Sequence, residues 1–438
     1  MKKLSEPLVR RGCATMHVGD MRVVVPALGK FTACVTDPPY EIGFMGKTWD
    51  SSGIAFDAKT WRVVLDALKP GGLLLAFGGT RTFHRIAVAI EDAGFEIRDC
   101  IMWLYGSGFP KSHDISKAID KASGATRRVV GTRSDGCGNT NASMHKRDGF
   151  ASARDKTYAI TKAATAESAR WEGYGTALKP AFEPIIVAMK PLDGTFAANA
   201  QQHGVAGINV DAGRVRCAGG SPSAALRKHE QAVGHGPSHP GCYDRPIQDR
   251  TSHATRTVER PGEHLGRWPA NVILDEDAAQ QLDVQSGARG GTLTHPYTNQ
   301  KHGGSVHGKY GSWGERTVFS YYDSGGASRF FYTAKTSTAE RQAGLERYAP
   351  NLHPTVKPID LMRYLVKLVT MPSGTRILDP FAGSGSTLVA CRQLGIKCVG
   401  VDLDPTNCRT ADGRLSYRVG VSKYRKLKLR GRRTRKES

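Results

Sequence analysis

Arg376–Asp402 reads RILDPFAGSGSTLVACRQLGIKCVGVD. The short apolar run Arg376 to Leu378 reads as a buried strand that stops at Asp379-Pro380. A glycine-rich turn follows, Phe381-Ala382-Gly383-Ser384-Gly385-Ser386, and opens a helix over Thr387 to Leu394. A second strand, Lys397 to Val401, ends in Asp402. Strand, glycine turn, helix and a strand closed by an acid form half of a dinucleotide-type fold, with Asp402 suited to ribose hydroxyls. The turn is not GxGxxG, however, and Asp379 stands where a pyrophosphate would lie. A carboxylate there repels phosphate and suits an ammonium group. S-adenosyl-L-methionine fits: Asp379 for the ammonium, Asp402 for the ribose, glycines for close backbone approach.

Upstream, His353-Pro354-Thr355-Val356-Lys357-Pro358 opens a helix over Pro358 to Thr370. Its amides and Lys357 are suited to the cofactor's carboxylate, although an ordinary helix start reads the same way. Near the other end, the apolar run Phe31 to Val35 stops at Thr36-Asp37-Pro38-Pro39-Tyr40. Proline fixes φ and carries no N–H, so Pro38 and Pro39 make a rigid turn with unpaired carbonyls. An aromatic exocyclic amine is a poor nucleophile, because its lone pair is delocalised into the ring. Two acceptors on its N–H bonds, the Asp37 carboxylate and the Pro38 carbonyl, localise that pair and stabilise the growing positive charge. Tyr40 offers a face for stacking the base, which must leave the duplex to reach such a pocket. A plain strand-capping turn is the alternative.

Together, Asp37-Pro38-Pro39-Tyr40 and Asp379-Pro380-Phe381-Ala382-Gly383-Ser384-Gly385 resemble the amino-methylating DNA methyltransferases. The order, with the catalytic motif first and the cofactor motif last, resembles the β-group, which includes many prophage and orphan enzymes. Gly19-Asp20, Leu68-Lys69-Pro70-Gly71-Gly72 and Thr176-Ala177-Leu178-Lys179-Pro180 support the likeness. The resemblance implies an α/β fold, a Rossmann-like class I methyltransferase sheet with permuted motifs. It implies S-adenosyl-L-methionine as cofactor, double-stranded DNA as substrate, a homodimer, and Asp20 near the cofactor adenine. Asp at position 37 points to adenine N6, with cytosine N4 as the alternative. A DNA-binding protein that has lost catalysis is a remoter reading, as is an RNA or protein methyltransferase. No nuclease motif accompanies these, so the expectation is a solitary methylase or the companion of a separate nuclease.

The composition agrees with a polyanionic partner. The 438 residues carry a formal net charge of +22, and the last eighteen, VSKYRKLKLRGRRTRKES, hold nine Lys or Arg against one Glu. MKKLSEPLVRRG has no apolar export core, no run reaches the ~18 apolar residues of a membrane span, and the nine cysteines include no CxxC pair. These features lead to the expectation of a cytoplasmic bacterial protein with reduced thiols and neither membrane nor metal partner. His239 and Cys242 lie close together but make a weak zinc pattern.

Helices over Phe56 to Leu68 and Phe83 to Ala93 alternate with strands over Leu73 to Phe77, Glu96 to Tyr105 and Glu183 to Met189, which predicts a largely parallel sheet. The expected division is a catalytic half over 1–123 and a target-recognition insertion over 124–350, with 171–195 returning to the sheet. A cofactor-binding half over 351–415 and a basic tail over 416–438 follow. Within the insertion, Asn271 to Leu274 and Arg329 to Tyr332 read as strand islands and Glu276 to Val284 as a short helix. Glu41 to Asp50 reads as a loop over the target base, with Lys47 a contact and Trp49 either a contact or a core anchor.

Overall fold

The computed structural model describes residues 7–43, 48–108, 112–134, 157–216, 266–288, 325–335, 338–346, 348, 350–351 and 356–417. His353, Thr355, Lys47, His239, Cys242 and the tail from 418 lie outside them. Most of the described chain forms one compact unit, and Ser107–Ala181 form a second.

The first unit is built on ten strands: β1 (Val9–Arg11), β2 (Ala14–Val18), β3 (Phe31–Thr36), β4 (Leu68–Phe77), β5 (Glu96–Leu104), β8 (Phe182–Met189), β9 (Val272–Asp275), β10 (Tyr332–Ala334), β11 (Arg376–Asp379) and β12 (Lys397–Asp402). Their order across the sheet is β1-β2-β12-β11-β3-β4-β8-β5-β9-β10. β2, β12, β11, β3 and β4 run parallel to their neighbours in that series. β8 is antiparallel to both β4 and β5, and β9 and β10 run parallel to β5. All six residues of β3 are buried, as expected of a strand covered on both faces.

Side chains alternate between two apolar layers. Leu73, Leu75 and Phe77 of β4 face a core shared with Met362, Leu365 and Leu388. Leu74 and Ala76 face Trp61, Val64, Ile86 and Ile90. The first layer is supplied by the helices Ile359–Leu368, Ser386–Leu394 and Pro405–Ser416, the second by Ala58–Ala67 and Phe83–Asp92. The apolar periodicity of these helices is what places them there.

Some expectations shift. Lys69-Pro70-Gly71-Gly72 ends the helix at Ala67 as expected, yet β4 begins at Leu68 and continues through it. The bulge between Phe31 and Ala33 in the β3–β4 register absorbs the irregularity. The boundary at 124 also moves, because the second unit starts at Ser107. The strand island expected at Asn271 to Leu274 extends the main sheet as β9, whereas of Arg329 to Tyr332 the first two residues end the 3-10 helix Ala327–Phe330 and only Tyr332 enters β10. Val215 and Arg267 exchange both backbone hydrogen bonds, Val215 N–H to Arg267 O at 3.1 Å and Arg267 N–H to Val215 O at 2.8 Å. Residues 217–265 therefore depart and return at one bridge.

The second unit contains the helix Ile115–Ala122, an antiparallel hairpin of β6 (Arg128–Ser134) and β7 (Thr157–Lys162), and the helix Ala166–Arg170. Its centre is the buried Asp120 carboxylate. This accepts from Arg127 Nη1 at 2.5 Å, Ala164 N–H at 3.0 Å and Thr165 Oγ1 at 2.9 Å.

Candidate active site

β11 and β3 are neighbours with Leu378 in register with Cys34, and from there the chain proceeds to β12 on one side and β4 on the other. Open α/β sheets bind ligands at the carboxyl ends of strands at such a switch point. Asp37 and Asp379 both stand there. Thr36 Oγ1 donates to Asp379 Oδ1 at 2.7 Å, joining the two strand ends. Asp379 is buried, and its other partners are the Phe381 N–H at 3.3 Å and the Thr387 hydroxyl. Among the described residues no cation joins them. Burial pushes its pKa up to about 7.

Asp37 meets a cation instead. Lys357 Nζ lies 2.8 Å from Asp37 Oδ2, 3.1 Å from Tyr40 OH and 3.1 Å from Glu183 Oε2, while Tyr40 OH donates to Glu183 Oε2 at 2.8 Å. Asp37 Oδ1 is buried and has no hydrogen-bond partner among the described residues. Burial raises the Asp37 pKa, Lys357 opposes that rise and Glu183 adds to it. Burial alone would lower the Lys357 pKa, but the carboxylates of Asp37 and Glu183 outweigh it and hold the ammonium charged. Burial, then Asp37 and Glu183, push the Tyr40 phenol well above its ordinary range.

The loop after Tyr40 is clamped by Asp50. Its buried carboxylate accepts the backbone N–H groups of Tyr40 at 2.8 Å, Glu41 at 3.0 Å and Ile42 at 3.3 Å. Glu41 adopts a left-handed φ of 55° and its carboxylate accepts from Gly53 N–H at 2.7 Å. Thr82 Oγ1 donates to the Tyr40 carbonyl at 2.6 Å. Trp49, at 41% exposure, is no core anchor.

The glycine turn is held to the strand beside it. Ala382 N–H donates to Val401 O at 2.9 Å, and Gly383 N–H to Asp402 Oδ2 at 2.8 Å. Gly385 has a φ of 81°, and a Cβ there would lie 2.8 Å from that of Ala411. The buried Arg414 donates through Nη1 to the Ser384 carbonyl at 2.8 Å and its hydroxyl at 3.0 Å. Burial lowers its pKa to about 10. Gly19 N–H donates to Asp402 O at 2.9 Å, which brings Asp20 beside this turn. Asp20 caps the helix Met21–Val24 and pairs with Arg22 at 2.6 Å.

A model of the N6/N4-type DNA methylases matches residues 31–203 and 246–412, well over half of the chain. The chain belongs to this DNA methylase family. The type II methyltransferase M.MjaII of Methanocaldococcus jannaschii is 43% identical over 56 residues, 13% of this chain and 10% of that protein. M.HindIII of Haemophilus influenzae is 30% identical over 118 residues, 27% of this chain and 36% of its own. The chain thus spans about a tenth of the first relative's length and 36% of the second's. Among solved structures, the PvuII DNA methyltransferase, cytosine-N4-specific, matches at a TM-score of 0.42 and 11% identity, covering 97% of this chain and 94% of the other.

The cofactor of such a methylase is S-adenosyl-L-methionine, and the site fits it. Asp379 is a buried carboxylate that meets no cation among the described residues, and the turn 382–385 leaves no room for a side chain at Gly385. The expected residues divide by position. Asp379, Phe381, Ala382, Gly383, Ser384, Gly385, Asp402 and Asp20 gather around the turn. Asp37, Pro38, Pro39 and Tyr40 lie at the end of β3. Lys357 faces the latter group rather than the turn. The Ser384 hydroxyl is taken by Arg414, and Phe381 packs towards Trp61, 6.3 Å between centroids. The Asp402 carboxylate already serves Gly383, Asp404 N–H at 2.9 Å and Asn407 at 3.1 Å.

Sequence reasoning missed Glu183, Asp50, Arg414 and Thr36. Only Asp50 left a signal, as the acid that closes the polar loop after Tyr40. Among the described residues no group of three or more His, Cys, Asp or Glu is placed to hold a metal ion. No helix there is long and apolar enough to cross a membrane.

Proposed function

We propose that this methylase transfers the methyl group of S-adenosyl-L-methionine to the exocyclic N6 of an adenine flipped out of double-stranded DNA. The observation that carries the reading is Asp37 Oδ1, a buried acceptor with no partner among the described residues, at the strand ends shared with the Asp379 carboxylate, which meets no cation among them. When bound, the cofactor supplies an electrophilic methyl on a sulfonium. Asp379 would hold its ammonium, Asp402 its ribose in a position shared with the Gly383 amide, and Asp20 would lie towards its adenine.

The target amine donates one N–H to Asp37 Oδ1 and the other to the Pro38 carbonyl, which localises the nitrogen lone pair. With the methyl group moving from sulfur to nitrogen, the Asp37 carboxylate would take the proton that the nitrogen sheds. Such preorganised acceptors typically contribute about 10²–10³-fold to the rate. Tyr40, its backbone fixed by Asp50 and Thr82, supplies the stacking face. Asp rather than Ser at position 37 favours adenine over cytosine. A homodimer would suit a palindromic site, and sedimentation would establish it.

The test is to incubate the protein with unmethylated bacterial DNA and labelled S-adenosyl-L-methionine, then to identify the labelled nucleoside. N6-methyladenine is expected. N4-methylcytosine would keep the chemistry and change the base, and no labelled nucleoside despite cofactor binding would overturn the reading. Asp37→Ala should lose at least about a hundredfold in turnover with cofactor affinity nearly intact.

A further inference from the structure

Asp37 does not stand alone at the end of β3. The Lys357 ammonium has three N–H bonds, and three oxygens surround it: Asp37 Oδ2 at 2.8 Å, Tyr40 OH at 3.1 Å and Glu183 Oε2 at 3.1 Å. The rings of Phe77 and Tyr40 lie 4.9 and 5.2 Å from Nζ. The polar groups come from three parts of the chain: Asp37 and Tyr40 follow β3, Glu183 is the second residue of β8, and Lys357 precedes the helix Ile359–Leu368. A carboxylate whose Oδ2 is fixed by an ammonium cannot turn freely, so its other oxygen has one direction.

We infer that Lys357 and Glu183 are positioning residues for methyl transfer: Lys357 fixes Asp37 through Oδ2 so that Oδ1 faces the target amine, and Glu183 holds Lys357 and Tyr40 in that arrangement. The inference rests on the reading of the preceding subsection. It also differs from a role for Lys357 on the cofactor's carboxylate, because its three donors are directed at these oxygens.

The charges give the assignment a readout. Asp37 faces Lys357, Glu183 and Tyr40. Glu183 and Lys357 face Tyr105 as well, and Asp379 faces Asp37 across Thr36. Removing the Glu183 charge takes away one of the groups that oppose ionised Asp37 and leaves Lys357 to favour it. Removing Lys357 leaves two carboxylates facing each other, which favours protonation.

Wild type, Glu183→Gln, Lys357→Met and Lys357→Arg would be compared as full-length proteins. Single-turnover methyl transfer to DNA would be followed from pH 5 to 9, with S-adenosyl-L-methionine affinity measured by calorimetry. The acid limb of the rate should move to lower pH in Glu183→Gln and to higher pH in Lys357→Met, each by about half a unit or more. Lys357→Arg should restore the wild-type limb, and cofactor affinity should stay within about threefold throughout. An active wild type whose limb is shared by Glu183→Gln and Lys357→Met would overturn the inference. So would a loss of cofactor affinity of about tenfold or more in Lys357→Met with Glu183→Gln unchanged, since that assigns Lys357 to the cofactor. Should Lys357→Met not fold, the isosteric Glu183→Gln decides alone. A wild type that binds cofactor but methylates no DNA overturns the preceding reading and takes this one with it.

Discussion

Asp379 is a carboxylate sealed beneath the glycine turn with hydroxyls and an amide for company. Its pKa in the folded protein, about 7, stands above the ordinary 3.8, so the folded state binds a proton that the unfolded chain has already released. Its contribution to stability is therefore full below about pH 4 and is lost as the pH rises through about 7. A bound ammonium reverses the preference, and cofactor binding then expels the proton. Affinity for S-adenosyl-L-methionine should accordingly increase about fivefold between pH 6 and 7 and flatten above. In Asp379→Asn it should be weak and flat over the same range. A wild-type affinity independent of pH in calorimetry would remove Asp379 from the ammonium. Asp37, Asp379 and the glycines were legible in sequence because each motif is a local chemical pattern. Glu183 was not, since its meeting with Tyr40, 143 positions away, exists only once β8 has paired. Lys357 stood out in the sequence, while the direction of its ammonium was set by packing.

At the level of elements, amphipathic helices and buried strands were read to within a few residues, because apolar periodicity reports directly on the two layers beside the sheet. β9 was seen as an island and β10 was placed three residues too early, because four and three residues carry too little pattern to fix a sheet edge. The turn at 382–385 depends on close contact with the helix Pro405–Ser416. Gly385→Ala combines a left-handed backbone with a Cβ 2.8 Å from Ala411, a strain of about 1–3 kcal/mol. It should lower the melting temperature and weaken cofactor binding in parallel. An alanine variant with wild-type melting and affinity would mean that the turn is not the rigid cradle described above.

For the whole molecule the excess of positive charge matters most. Deleting the chain from Lys423 onward removes most of the basic cluster at the end of the sequence. DNA affinity should fall, and the slope of log K against log salt should shrink by about 0.9 for each phosphate that the shortened chain leaves unneutralised, with the preferred site unchanged. An altered site preference would place base recognition in the tail. The points at which the chain leaves the sheet bear on how such a molecule changes over time. Val215 and Arg267 are bonded to each other, and Leu104 and Phe182 are register partners in the β5–β8 pair. The 107–181 unit is thus spliced between paired strands of the sheet, and 217–265 between the two partners of an isolated bridge outside it. Halving or doubling a segment between fixed ends alters its closure free energy by only about 0.6 kcal/mol. A segment held between such ends can be exchanged as a cassette while Asp37, Tyr40, Asp379 and the glycine turn stay where they are, so if target choice lies in either segment it could change in a single step.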